Sequence, residues 1–313
     1  MSETTVEKNP NQPGSLTPEH SARLMRWATY ASVTLAISLI ALKSGAWLQT
    51  NSVSLLTSLV DSLLDAIASI INLVAVRHAL TPADREHRFG HGKAEAIAAL
   101  SQAAIIAGSA AFLLLEGGRR LIHPELLAHT DAGVIVMGIS LVATAFLLGF
   151  QRYVIRRTKS VAISADSLHY LSDLFTAVAV IVALVLTERF GFVYADPLFA
   201  ITIAAYILYS AWKIAGSSFD QIMDRELPDE DRDRIRDVVM SHPDVLDMHD
   251  LRTRSSGLNS FIQLHMELDG GMTLKRAHDI ADEVQIMVES TFPDAEVLIH
   301  QDPEGLEDPP VFN

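Results

Sequence analysis

Four ionisable side chains stand out against stretches that are otherwise apolar. Asp61 and Asp65 lie in SVSLLTSLVDSLLDAIASIINLVAV, and His169 and Asp173 lie in AISADSLHYLSDLFTAVAVIVALVL. Both pairs are spaced i, i+4, so on a helix each pair shares one face. A carboxylate at the centre of a bilayer costs roughly 2.5–3.5 kcal/mol even on the lenient insertion scale. Three carboxylates and an imidazole at that depth need a partner. A divalent cation between two helices is one, since Asp oxygens and a His nitrogen can close a tetrahedron around Zn²⁺ with bonds of about 2.0–2.2 Å. The plainer reading is polar residues hydrogen-bonded between helices. It accounts for one such pair better than for two matched ones. His169 adds a second property. An ordinary imidazole titrates near about pH 6.5, and metal binding needs the neutral ring. Metal and proton would compete for the same groups, and a site open to each side in turn would exchange one for the other.

Two further sets lie outside the apolar stretches. In ADREHRFGHGKAE, Asp84, His87 and His91 fall close together beside Gly90 and Gly92, which permit a tight turn. Three ligands and water could hold an exposed ion; a basic loop with solvated histidines is the alternative. Nearer the C-terminus, His249 opens one expected strand, His265 lies late in the next, and His300 with Asp302 ends the last. His278 lies on the helix between. Strand ends converging at one rim of a small sheet would gather these residues, and scattered surface histidines are the alternative.

Hydropathy supplies the elements that must position them. Six segments are long enough to cross about 30 Å of hydrocarbon: 27–47, 53–76, 96–121, 133–154, 161–187 and 193–215. Two of the links carry Arg77, Arg85, Arg88 and Lys93, and Arg152, Arg156, Arg157 and Lys159, with Arg23 and Arg26 ahead of the first span. On the opposite side the QTNS link is uncharged, although Arg119 and Arg120 reduce the contrast. The positive-inside rule then makes both termini cytoplasmic. Lys43, inside the first span, would snorkel or pair with an intramembrane carboxylate.

Beyond Ser217 the pattern changes. PDEDRDRIRDVVMSH opens with a proline and acids, as helices do. MHDLRTRSS and NSFIQLHMELD alternate on either side of Gly257 and read as a hairpin. TLKRAHDIADEVQIMVESTF has helical periodicity, and AEVLIHQD reads as a last strand. The expected division is a disordered polar tail over 1–22, a six-helix transmembrane domain over 23–216, a metal-binding dimerisation domain over 217–304 and a disordered tail over 305–313.

Charge divides the same way. From residue 217 onward the chain has 23 acidic and 8 basic residues, a net of −15, whereas the rest has 15 and 16, a net of +1. An acidic domain repels nucleic acid. There is no cysteine, so thiolate sites and disulfides are excluded. The first twenty residues lack the apolar core of a signal peptide. No phosphate-binding loop, nucleotide fingerprint, serine-hydrolase elbow or HExxH appears, which removes support for ATP-driven and hydrolytic readings.

Taken in order, SLVDSLLDAIAS, PADREHRFGHGKAE, SLHYLSD, HDLRTRSSG, FIQLHMEL and VLIHQDP resemble the signatures of the cation diffusion facilitator family, in particular its bacterial zinc and ferrous-iron efflux branch. The resemblance runs from about Trp27 to Pro303. It implies a polytopic α-helical membrane protein of six transmembrane helices with a cytoplasmic α+β, ferredoxin-like or metallochaperone-like domain. It implies a transport site of Asp61, Asp65, His169 and Asp173, with His169 in proton coupling, and a loop site of Asp84, His87 and His91. It implies a binuclear site of His249, His265, His278, His300 and Asp302, where metal stabilises a homodimer, and an interlocking salt bridge between Lys93 and Asp224. The implied activity is antiport of Zn²⁺, with Fe²⁺ and Cd²⁺ as alternative cargo, outward across the cell inner membrane. Zn²⁺ would be both cargo and structural ion, with protons and membrane lipid as the other partners and no nucleic acid or nucleotide. A membrane-bound metal sensor signalling through its cytoplasmic domain is the competing reading.

Overall fold

The structure, a computed structural model, describes residues 18–50, 53–123, 131–192 and 194–305. Six long helices come first: α1 (Pro18–Thr50), α2 (Val53–Ala79), α3 (Lys93–Ile122), α4 (Asp131–Thr158), α5 (Val161–Phe190) and α6 (Ala195–Ile222). Each contains a stretch long and apolar enough to cross a membrane. Helix α1 begins inside the stretch expected to be tail. Pro18 suits a first helical position and Glu19 complements the helix dipole there. Helix α6 runs past the expected boundary at 216, because Ser217 and Ser218 do not break it; the chain turns only where Asp224 takes φ 57°.

The helices form one bundle. α3 lies along α6, closely enough at Gly117 that an added Cβ would meet the Ile201 side chain at 2.9 Å. α5 packs against all five other span helices. That central place lets it carry residues that act between neighbours.

The remaining elements are α7 (Asp229–Met240), β1 (Asp247–Ser256), β2 (Asn259–Leu268), α8 (Leu274–Thr291) and β3 (Ala295–Pro303). The sheet order is β1-β2-β3, with β1 and β2 antiparallel and β2 and β3 parallel. The turn at Gly257 (φ 64°) closes the hairpin. Ile262, Leu264, Met266, Leu268 and Val297 bury one sheet face against Ile235 and Val239 of α7 and Ile280, Val284 and Val288 of α8. Both helices therefore cover the same face. Alternation along the strands turns His265, Glu267, His300 and Asp302 to the other one.

The hairpin tip meets the bundle. Leu258 packs against the buried cluster formed by Met25 and Ala28 of α1, Val76 of α2, Val154 of α4 and Ala162 and Ile163 of α5. Gly92 lies so near the tip that an added Cβ would sit 2.2 Å from the Ser256 carbonyl oxygen.

Candidate metal centres

The candidate site between α2 and α5 is set by how α5 is seated. Ser160 caps its N-terminus, accepting from the Ile163 N–H. The buried carboxylate of Glu95, in the first turn of α3, accepts from Ser160 Oγ (2.5 Å) and the Ala162 N–H (3.3 Å). An anion at a helix N-terminus is favourable; here it ties the start of α5 to α3. Two turns further on, His169 Nε2 lies 2.9 Å from Asp65 Oδ1 of α2 and 3.9 Å from Asp173 Oδ2. The three ligand atoms all lie within 4.8 Å of one another. Ligands on a tetrahedron with bonds of about 2.1 Å stand about 3.4 Å apart, so an ion fits among them after small adjustments.

Asp61 is not part of this group. It lies about one turn from Asp65, about 6 Å along α2, and is exposed; the imidazole pairs with Asp65 instead. Lys43 makes neither expected arrangement its main contact. It donates to Ser58 O (3.1 Å) and Ser62 Oγ (2.6 Å), joining α1 to α2. The matched-pair pattern also passes over Asp166, wholly buried one turn before His169. A third polar residue on the polar stripe of α5 was its only sequence signal.

In the loop between α2 and α3, Asp84 Oδ1 accepts from the backbone N–H groups of His87 (2.6 Å) and Glu86 (2.9 Å). The first of these bonds, with the second and the nearby histidines, holds the Asp84 carboxyl below the usual carboxylate range. His87 Nδ1 and His91 Nε2 each lie 3.4 Å from an Asp84 oxygen, so the loop brings all three residues together. Gly90 takes φ 77° and its N–H closes the turn onto His87 O. His78, on the last turn of α2, joins the group unforeseen: its ring centroid is 4.7 Å from that of His91.

Beside this loop runs a cleft shared with the hairpin. The Arg254 guanidinium lies over the rings of Phe89 (4.5 Å) and Phe261 (4.9 Å). Lys93 Nζ lies 2.9 Å from Asp224 Oδ1, and Arg254 lies 3.4 Å from Oδ2 of the same carboxylate.

On the open sheet face, His249, His265 and His300 occupy one row, since His249 pairs with His265 and His265 with His300. His265 Nδ1 is 2.7 Å from Asp302 Oδ2, His249 Nε2 is 3.6 Å from the same oxygen, and His300 Nε2 is 3.2 Å from Oδ1. Two acids missed from sequence approach the row. Glu267 lies 3.4 Å from His249, and Asp250 lies 3.9 Å from His265. Asp250 sits in a register shift at φ 45°, and such bulges re-aim side chains. His278 is not gathered here within one chain. It faces out from α8, across the sheet from the row, 3.6 Å from Asp282.

Residues 29–223 match the family described as the cation efflux transmembrane domain, and residues 227–304 match the cation efflux protein, cytoplasmic domain, family. The cation-efflux pump FieF of Serratia proteamaculans is 49% identical over 282 residues, covering 90% of this chain and 94% of the relative. The FieF pump of Shewanella oneidensis is 47% identical over 283 residues, covering 90% and 95%. Among solved structures, the metal-bound C-terminal domain of the CzcD transporter from Thermotoga maritima is 31% identical, covering 25% of this chain and 93% of that one, with a TM-score of 0.25.

Proposed function

The chain belongs to the cation efflux family, a family of transporters rather than enzymes, and from that premise we propose that it exports a divalent metal ion in exchange for protons. Zn²⁺ is the first candidate cargo, with Fe²⁺ and Cd²⁺ as alternatives, because an imidazole with carboxylates accepts all three. The observation that carries the reading is the meeting of Asp65, His169 and Asp173 between α2 and α5, inside two membrane-spanning helices. A structural ion needs no such depth, whereas a transported one must pass through it.

In this reading Asp61 joins the site in another conformation, and alternating access moves α5 relative to α2. His169 Nε2 accepts metal or proton, never both, which couples the two. Both termini and the acidic domain face the cytoplasm across the inner membrane. The histidine row with Asp302, together with His278, forms the metal-bound surface of a homodimer, and Asp84, His87 and His91 hold a separate ion near the hairpin.

Metal uptake into proteoliposomes tests this, with Zn²⁺, Fe²⁺, Cd²⁺ and Mn²⁺ each offered with and without a pH gradient. Gradient-driven uptake that disappears in Asp65→Ala is expected. No flux of any metal, with tight binding retained at the histidine row, would overturn transport and favour a metal sensor.

A further inference from the structure

Asp166 on α5 is buried completely, and its hydrogen-bond partners are neutral groups from three other helices. Ser32 Oγ of α1 donates to Oδ2 (2.6 Å), Gln151 Nε2 of α4 donates to the same oxygen (2.7 Å), and Gln102 Nε2 of α3 lies 3.5 Å from Oδ1. Gln151 Nε2 also donates to Ser32 Oγ (3.0 Å). The other end of that amide, Oε1, is buried with no partner. Among the described residues no Lys, Arg or His forms an ion pair with Asp166.

A buried carboxylate without a cation is costly, and structural glue does not require one: a second amide would bind the same neighbours. The amide of Gln151 suits two states of its partner. With Nε2 toward Asp166 it donates to a carboxylate. Turned over, Oε1 accepts from the O–H of a carboxylic acid and from Ser32. Because the far end of the amide bonds nothing, the turn breaks no other contact. We propose that Asp166 is a proton-binding site separate from the metal cluster, with the Gln151 amide alternating between donor and acceptor.

The proton's use rests on the antiport reading above. Asp166 holds α5 to α1, α3 and α4, while His169 holds the same helix to Asp65 of α2. Tyr170 joins the two sides: its hydroxyl bonds Ser69 Oγ of α2 (2.8 Å) and donates to Ser32 O of α1 (3.2 Å). Filling or emptying Asp166 therefore changes how the metal-bearing helix is held. The surrounding charges are otherwise engaged or distant. Glu95 of α3 is bound at the start of α5, and Lys43 of α1 is bound to Ser58 and Ser62. Arg26 of α1 and Arg152, Arg156 and Arg157 of α4 are exposed. On α6, Asp196 pairs with Arg120, Lys213 lies over Tyr209 and Asp220 pairs with Arg225. On α5 itself, His169 and Asp173 turn to the metal cluster, and His169, one turn away, is the one charged group among the described residues whose field reaches Asp166.

Difference infrared spectra of the full chain in lipid, taken from mildly alkaline to mildly acidic pH, test the site. A carboxylic-acid C=O band should grow in. It should survive Asp65→Asn, vanish in Asp166→Asn and shift in Gln151→Leu, which keeps the carboxyl but removes the amide. In liposomes, Asp166→Asn should move metal with fewer protons per ion than the parent chain. A band untouched by Asp166→Asn, or its absence from the parent chain, overturns the proposal. If Asp166→Asn does not fold, an unshifted band in Gln151→Leu overturns it. A band of the expected behaviour with metal flux indifferent to pH gradients leaves the proton site standing and removes antiport. Coupled flux without the band does the reverse.

Discussion

At the residue scale, the contacts of His169 distinguish the two aspartates of α2. Asp65 touches the imidazole and Asp61 does not. In detergent, Asp65→Ala should weaken metal binding by more than the roughly 10–100-fold that an outer partner costs. Asp61→Ala should cost less, and calorimetric titration of both variants checks the order. Equal losses would mean that the bound form draws Asp61 in fully. The i, i+4 spacing made Asp65, His169 and Asp173 legible from sequence, because helix geometry converts that spacing into a shared face. Asp166 escaped for the opposite reason. Its partners Ser32, Gln102 and Gln151 lie 134, 64 and 15 residues away, on three helices, and no local pattern joins them. His78 escaped similarly, since only the fold of the loop brings it to His91.

At the scale of elements, the contact between loop and hairpin is tight enough to be tested by one methyl group. Gly92→Ala places a Cβ against the Ser256 carbonyl. Overpacking of this kind costs about 1–3 kcal/mol. Paired spin labels on the loop and on the hairpin should report a longer or broader distance in the variant, whereas an unchanged distribution would deny that the contact is rigid. A second prediction concerns α8. Glu283 accepts from His242 (3.0 Å), and this bond, with Arg276 nearby, holds its carboxyl below the ordinary range. A depressed carboxyl stabilises the fold above its unfolded pKa, and that contribution is lost as pH falls through the folded value. Glu283→Gln should therefore lower thermal stability at neutral pH, and the difference should close in acid. Hydropathy located the six long helices, and periodicity the two shorter helices and the hairpin among the described residues, but element ends were less legible. The bulge at Asp250 has no local signature, so its carboxylate was missing from the expected site. His278 was expected with the row from the family resemblance and from its place on the helix between the strands, yet within one chain covering the apolar face of the sheet puts that helix on the far side.

At the scale of the whole molecule, charge segregation governs association. Two domains of net charge −15 repel, and divalent ions bound at the histidine rows would offset that repulsion. On the proposed dimer reading, a chelator should lengthen the distance between labels on the two C-terminal domains. Identical distances with and without it would count against a metal-held interface. Which metal is carried was never legible, because one imidazole and two or three carboxylates do not discriminate among Zn²⁺, Cd²⁺ and Fe²⁺ by donor type. The Lys93–Asp224 pair and the wedged Leu258 seat the acidic domain directly at the end of the bundle. Its field there acts on an ion in proportion to valence. A potential that enriches a monovalent cation about tenfold enriches a divalent one about a hundredfold, and added salt erodes the second gain much faster. That end of the bundle thus faces an ion atmosphere already sorted by charge, in which the concentration of a divalent ion differs from that of the bulk solution.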